Sequence, residues 1–122
     1  MAGDERLAAW PRTVAAAKLV QAELRDRVCC DDELGPVQRV AGVDVGFEAG
    51  GTIARAAVVV LSFPDLTLQT QAIARLPTPF PYVPGLLSFR EVPVILQALA
   101  QLATPPDLIL CDGQGYAHPR RF

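Results

Sequence analysis

Thiols, imidazoles and long apolar runs are all scarce in this chain. Its 122 residues include three cysteines and one histidine. Cys29 and Cys30 are adjacent, Cys111 stands inside an apolar run, and no CxxC spacing occurs, which argues against both a disulfide framework and a cysteine-based zinc site. Although 51% of the residues are hydrophobic and the mean hydropathy is +0.27, no run approaches the roughly 18 to 20 apolar residues that cross a bilayer. Asp4, Glu5 and Arg6 precede any apolar stretch, unlike the start of a secretory signal, so a cytoplasmic location is expected. A basic excess is also missing. With a net charge of -2, any contact with a phosphate polymer must be local. The length fits one domain over residues 1–122, with neither internal repeats nor low-complexity segments to suggest otherwise.

The apolar pattern predicts a mixed α/β fold. A helix is expected over Thr13 to Arg27, capped by Thr13, with Val14, Ala17, Val20, Leu24 and Val28 on the face that covers a sheet. Strands follow from Arg39 to Phe47 and from Ile53 to Phe63, joined by the turn Glu48-Ala49-Gly50-Gly51. A weaker alternation from Leu66 to Leu76, with Leu66, Leu68, Ala72 and Ala74 on one parity, predicts a third antiparallel strand near the sheet edge. A helix from Ser88 to Leu102 then precedes the run Leu108 to Cys111. A helix between strands implies a crossover to a parallel strand, placed beside the first.

Chemistry enters through three acids. Asp44 sits inside the apolar run Val40 to Phe47, where a buried charge needs compensation. Asp112 ends the later apolar run, and the crossover makes it a neighbour of Asp44; Glu91 opens the second predicted helix. Two bare carboxylates so close repel, whereas a bound Mg²⁺ favours both ionised forms. Such an oxygen-rich site suits Mg²⁺, with Mn²⁺ as the alternative, and phosphodiester hydrolysis is its natural chemistry. Simpler uses of the same residues stand beside this one. Asp112-Gly113 fits an ordinary turn, Asp44 fits the solvent side of a half-exposed sheet, and Ser88-x-x-Glu91 fits a capping box.

Between the third strand and the second helix, the segment Pro77 to Gly85 holds four prolines in its first eight positions. Proline fixes φ and removes donors, so the segment reads as a stiff extended loop that holds its aromatic residues outward. His118, Arg120 and Arg121 form the one concentrated basic patch, suited to phosphate contact.

Three blocks of sequence carry a resemblance: Val43-Asp44-Val45-Gly46-Phe47, the run from Pro81-Tyr82-Val83-Pro84-Gly85 through Ser88-Phe89-Arg90-Glu91, and Asp112-Gly113-Gln114-Gly115-Tyr116-Ala117-His118-Pro119-Arg120-Arg121. In order and spacing they resemble endonuclease V, the deoxyinosine-directed repair nuclease, from the first helix to the last residue. The resemblance implies a ribonuclease H-like mixed sheet, an antiparallel meander then a parallel crossover strand, flanked by helices. It also implies Mg²⁺-dependent cleavage of the second phosphodiester 3′ to a deaminated purine. Asp44, Glu91 and Asp112 correspond to the metal-binding catalytic acids. Pro81, Tyr82, Val83 and Pro84 correspond to a wedge that holds strands apart around a flipped lesion, Gly113 and Gly115 to the lesion pocket, and His118, Arg120 and Arg121 to nucleic-acid contacts. The implied partner is DNA containing deoxyinosine or another deaminated base, with inosine-containing RNA as a further candidate and no membrane partner.

Family members continue well past the position of Phe122, with a further metal ligand and a lysine near the cleaved phosphate. The C-terminal part is therefore expected to be missing, with exposed apolar patches and weak or no cleavage by the chain as given. Two other kinds of protein carry the same features: a lesion-binding module that grips DNA without cutting, and an interaction module built on the proline loop with structural acids.

Overall fold

A computed structural model of the protein describes residues 10–113 and 115–119. Four strands form one sheet: β1 (Arg39–Glu48), β2 (Ile53–Ser62), β3 (Leu68–Pro77) and β4 (Leu108–Leu110), in the order β3-β2-β1-β4. The first three pair antiparallel and β4 lies parallel to β1, the meander and crossover expected from the sequence. Helix α1 (Val14–Arg25) precedes the sheet and helix α2 (Ser88–Ala100) makes the crossover.

Alternation divides the sheet into two faces. Ala41 and Val43 of β1, Ala54, Ala56, Val58 and Val60 of β2, and Ala74 of β3 form a buried layer against Val94 and Ala98 of α2. Alanine at so many contact positions leaves little side chain between helix and sheet, so the two backbones approach closely. On the opposite parity Gly42, Asp44, Val59 and Ile73 are exposed, while Val40 near the start of β1 is buried. Asp44 is therefore not buried, contrary to the reading of its apolar neighbourhood: the valines beside it point to the other face.

Two further expectations are corrected. Along β3, Ala72 and Ala74 are buried, but Leu66 and Leu68 are exposed. The pairing slips between Val60 and Leu61, so that Val60 faces Thr70 while Leu61 faces Leu68; the extra residue turns Leu68 away from the helix-covered face. Helix α1 begins as predicted, with the Thr13 hydroxyl accepting from the Ala16 N–H at 3.1 Å, but it does not pack on the sheet layer. Its buried Ala17 joins Phe80, Leu86 and Phe89 in a second apolar cluster, with Trp10, Val20 and Val83 packed around it. Leu24 and Val28, assigned to its inner face, are exposed.

The second cluster anchors the proline loop. Val83-Pro84-Gly85-Leu86 makes a turn closed by Leu86 N–H to Val83 C=O at 2.9 Å. Pro84 leads it and Gly85 follows at φ +83°, the conformation a type II turn reserves for glycine. The loop's start is tied to the hairpin tip, where Thr78 donates from its N–H to Thr52 C=O at 2.9 Å and from its hydroxyl to Gly51 C=O at 2.6 Å. Of the loop's two aromatics, only Tyr82 faces outward; Phe80 is buried, because the prolines direct the chain across the cluster rather than away from it.

Candidate metal and nucleic-acid site

Register brings the acids to one place. Val40, Ala41 and Gly42 pair with Leu108, Ile109 and Leu110, so Asp44, still within β1, and Asp112, just past the end of β4, each lie two residues beyond the last pair of two adjacent strands. Asp107 sets that register. Its carboxylate accepts from the N–H groups of Gln38 at 2.9 Å and Arg39 at 3.0 Å, and its own N–H bonds Arg39 C=O at 3.0 Å. Those two backbone hydrogen bonds hold the Asp107 carboxyl below the usual carboxylate range. The sequence reading missed Asp107; its place straight after Pro105-Pro106, where the chain enters β4, was the available signal.

Glu91 reaches the same region from α2. The helix starts at Ser88 with Leu87 as its cap and without a side-chain capping bond, so Glu91 is not consumed as a capping-box partner. Burial pushes its carboxyl up, and the charges of Asp112 and then Asp44 push it further, against a smaller lowering by Arg90. Three carboxyl groups from three elements therefore share one electrostatic neighbourhood. Among the described residues, however, no group of three His, Cys, Asp or Glu side chains is arranged closely enough to hold an ion as it stands. The Asp44 carboxylate bonds its neighbour's N–H, Val45, at 3.0 Å. An all-oxygen set whose charges raise the pKa of a member is the kind that a hard divalent cation would relieve, so the donor chemistry suits such an ion.

Glu91 and Asp112 also line an open pocket of about 240 Å³ with Leu87, Ser88, Cys111, Gly113 and Gly115. Gly113 and Gly115 adopt φ +132° and +53°, values that side-chain-bearing residues rarely take. A short 3-10 turn, Gly115–Ala117, follows, and the His118 N–H closes it on Gly115 C=O at 3.1 Å. Arg120 and Arg121 lie outside the described residues.

The proline loop stands beside this pocket in sequence and leads directly into α2. Tyr82 is 66% exposed, so its ring is not packed on the protein's own surface. Pro81 and Pro84 are exposed on either side, while Val83 packs on the second cluster. Arg90, beside Glu91, lies over the Phe47 ring at 3.8 Å, a cation–π contact that joins α2 to the end of β1.

Comparison with known proteins agrees with this arrangement. The endonuclease V family profile matches residues 22–122. The endonuclease V of Nostoc punctiforme is 60% identical over 114 residues, covering 93% of this chain and 52% of that protein. That of Azotobacter vinelandii is 52% identical over 119 residues, covering 98% and 54%. The crystal structure of endonuclease V from Streptomyces avermitilis superposes with a TM-score of 0.86 at 50% identity, over 94% of this chain and 51% of that one. Ciona intestinalis endonuclease V, solved in complex with a 24mer DNA containing an inosine followed by a ribo-adenosine, gives a TM-score of 0.78 at 30% identity over 88% and 49%. The chain spans about half the length of the curated relatives it matches. With its ribonuclease H-like sheet, its three converging acids and a match over most of its length, the chain belongs to the endonuclease V family.

Proposed function

We propose that residues 1–122 form a single domain unit carrying the acidic half of a metal-dependent endonuclease that hydrolyses the second phosphodiester 3′ to deoxyinosine or another deaminated base. The observation that carries this reading is the convergence of Glu91 with Asp112 and Asp44. These three acids would hold Mg²⁺, or Mn²⁺ in its place. Once bound, the cation would offset their mutual repulsion, activate water and stabilise the leaving oxygen. The chain's own residues do the rest. Exposed Tyr82, on a proline-stiffened loop, is available to stack on a base or fill the gap left by an extruded one, at little entropic cost. Gly113 and Gly115 line the neighbouring pocket without side chains, so a base edge can approach the backbone. His118, Arg120 and Arg121 are the candidates for nucleic-acid contact. The substrate suggested by the inosine-containing DNA bound to the Ciona relative is DNA, with inosine-containing RNA as a further candidate. Cys29, Cys30 and Cys111 are free, as suits a reducing, cytoplasmic setting.

A second reading, lesion binding without cutting by this chain, is favoured by the absence among the described residues of a ready three-ligand cage. One experiment separates the two. The purified chain is incubated with a deoxyinosine-containing oligonucleotide with and without Mg²⁺, beside Asp44→Ala. Metal-dependent nicking lost in the variant supports the nuclease; binding that survives in Asp44→Ala with no nicking in either protein supports the binder. Failure to prefer deoxyinosine over an unmodified oligonucleotide overturns both.

A further inference from the structure

Pro93 lies within α2, and proline has no N–H to give the carbonyl four residues earlier. That carbonyl belongs to Phe89. Its donor comes instead from a distant part of the chain: the Trp10 indole N–H meets Phe89 C=O at 2.7 Å, with the two rings 5.5 Å apart between centroids. Four residues before Phe89, the carbonyl of Gly85 has a matching partner, the Gln21 side-chain N–H at 2.8 Å. Gln21 is 6% exposed, the one buried polar or charged side chain among the described residues. A buried amide is retained at a cost unless its hydrogen bonds matter. Here two side chains from the segment ahead of β1 converge on two backbone carbonyls of the same junction, one just after Tyr82 and one just before Glu91.

We propose that Trp10 and Gln21 are positioning residues: a clamp that fixes the proline loop and the first turn of α2 relative to each other, and so holds Tyr82 and Glu91 in a set relation. The role in lesion recognition rests on the function proposed above; the clamp itself does not. Both act through backbone carbonyls of the junction. Trp10 supplies the donor that Pro93 lacks, and Gln21 holds the far side of the turn that presents Tyr82.

Trp10→Phe keeps the ring and removes the donor, Gln21→Leu keeps the volume and removes the amide, and Pro93→Ala added to Trp10→Phe returns a backbone donor to Phe89 C=O. On the full chain, amide hydrogen exchange at Leu86 and Phe89 is compared with Val58 and Val60 in the sheet. Binding is measured by anisotropy with labelled oligonucleotides with and without deoxyinosine. Each single variant is expected to speed exchange at Leu86 and Phe89 by about tenfold while the sheet amides hold. Each should also lower the binding preference for deoxyinosine about fivefold or more. Pro93→Ala returns a donor inside α2 but no tie to the segment ahead of β1, so it should not recover the deoxyinosine preference of Trp10→Phe, and full recovery would overturn the clamp role of Trp10. Exchange that rises equally in loop and sheet, or not at all, overturns the clamp. Local exchange that rises while a wild-type preference for deoxyinosine persists in the variants overturns the positioning role. If the wild-type chain shows no such preference, the proposed function fails, and the exchange arm alone decides the clamp.

Discussion

The two apolar clusters of this protein are built on different terms. The sheet layer uses short residues, Ala41, Val43, Ala54, Ala56, Val58 and Val60, repeated at period two and covered by Val94 and Ala98 of one helix. The loop cluster uses Phe80, Leu86 and Phe89 with Trp10 and Ala17, drawn from three separate segments and tied by side-chain donors to backbone carbonyls. The first cluster makes a platform, and the second aims a tool. A periodic layer tolerates small losses because many equivalent contacts share them, whereas the loop cluster depends on single rings and single hydrogen bonds.

Phe80→Ala tests that difference most strongly. Phe80 is 2% exposed, and removing such a ring costs about 3 to 5 kcal/mol; urea unfolding read by near-ultraviolet signal should show that loss. Val58→Ala in the sheet should cost about 2 kcal/mol on the basis of roughly 0.8 kcal/mol per buried carbon. A Val58→Ala loss as large as that of Phe80→Ala would dissolve the contrast. Tyr82→Ala should change stability by less than about 0.5 kcal/mol, since an exposed ring leaves little behind. Its binding to a deoxyinosine oligonucleotide should weaken by about 1 to 3 kcal/mol, roughly 5- to 150-fold. An unchanged affinity would remove Tyr82 from the interface.

Smaller effects probe the charges. The carboxyl of Glu91 is raised, so its ionised form opposes folding above the folded-state pKa, and that opposition disappears as pH falls below the unfolded value of about 4.3. Glu91→Gln should therefore raise the melting temperature slightly at neutral pH without metal, and should erase any stabilisation that added Mg²⁺ gives the wild type. For Asp107 the sign is reversed. Its carboxyl is lowered, so its contribution is present above about pH 3.9 and is lost as pH falls through the lower folded value. Asp107→Asn should flatten the acid limb of a stability profile, and an acid limb identical to wild type would exclude it as the pin of β4.

The sheet layer was legible because its periodicity is written in consecutive residues: the predicted strands at Arg39, Ile53 and Leu108 begin where the observed ones do. Glu91 and Asp112 were legible from their places at element ends, and Asp44 from its oddness among valines, although the reason for that oddness was misread. Its neighbours are buried, and it is not. What escaped depended on pairs far apart in sequence. Nothing local to Gln21 says that Gly85 lies above it, and nothing near Pro93 says that an indole replaces its missing donor. The slip at Val60 and Leu61, which exposes Leu68, likewise belongs to the pairing rather than to either strand. Exposed Val59, Ile73 and Leu110 share the sheet's second face with Asp44 and with Glu48, which is ion-paired to Arg55 and Arg75, so that face is mixed rather than sealed like the first.

The parallel pairing of β4 with β1 also has a consequence in time. The meander closes through neighbouring segments, but Gly42 meets Leu110 only after the whole intervening chain has been gathered, and such long closures are entropically slow. Asp112 therefore joins Asp44 late. On refolding, any cation affinity of the proposed site should lag behind the recovery of secondary structure, so that the scaffold forms first and the pairing of Asp112 with Asp44 second.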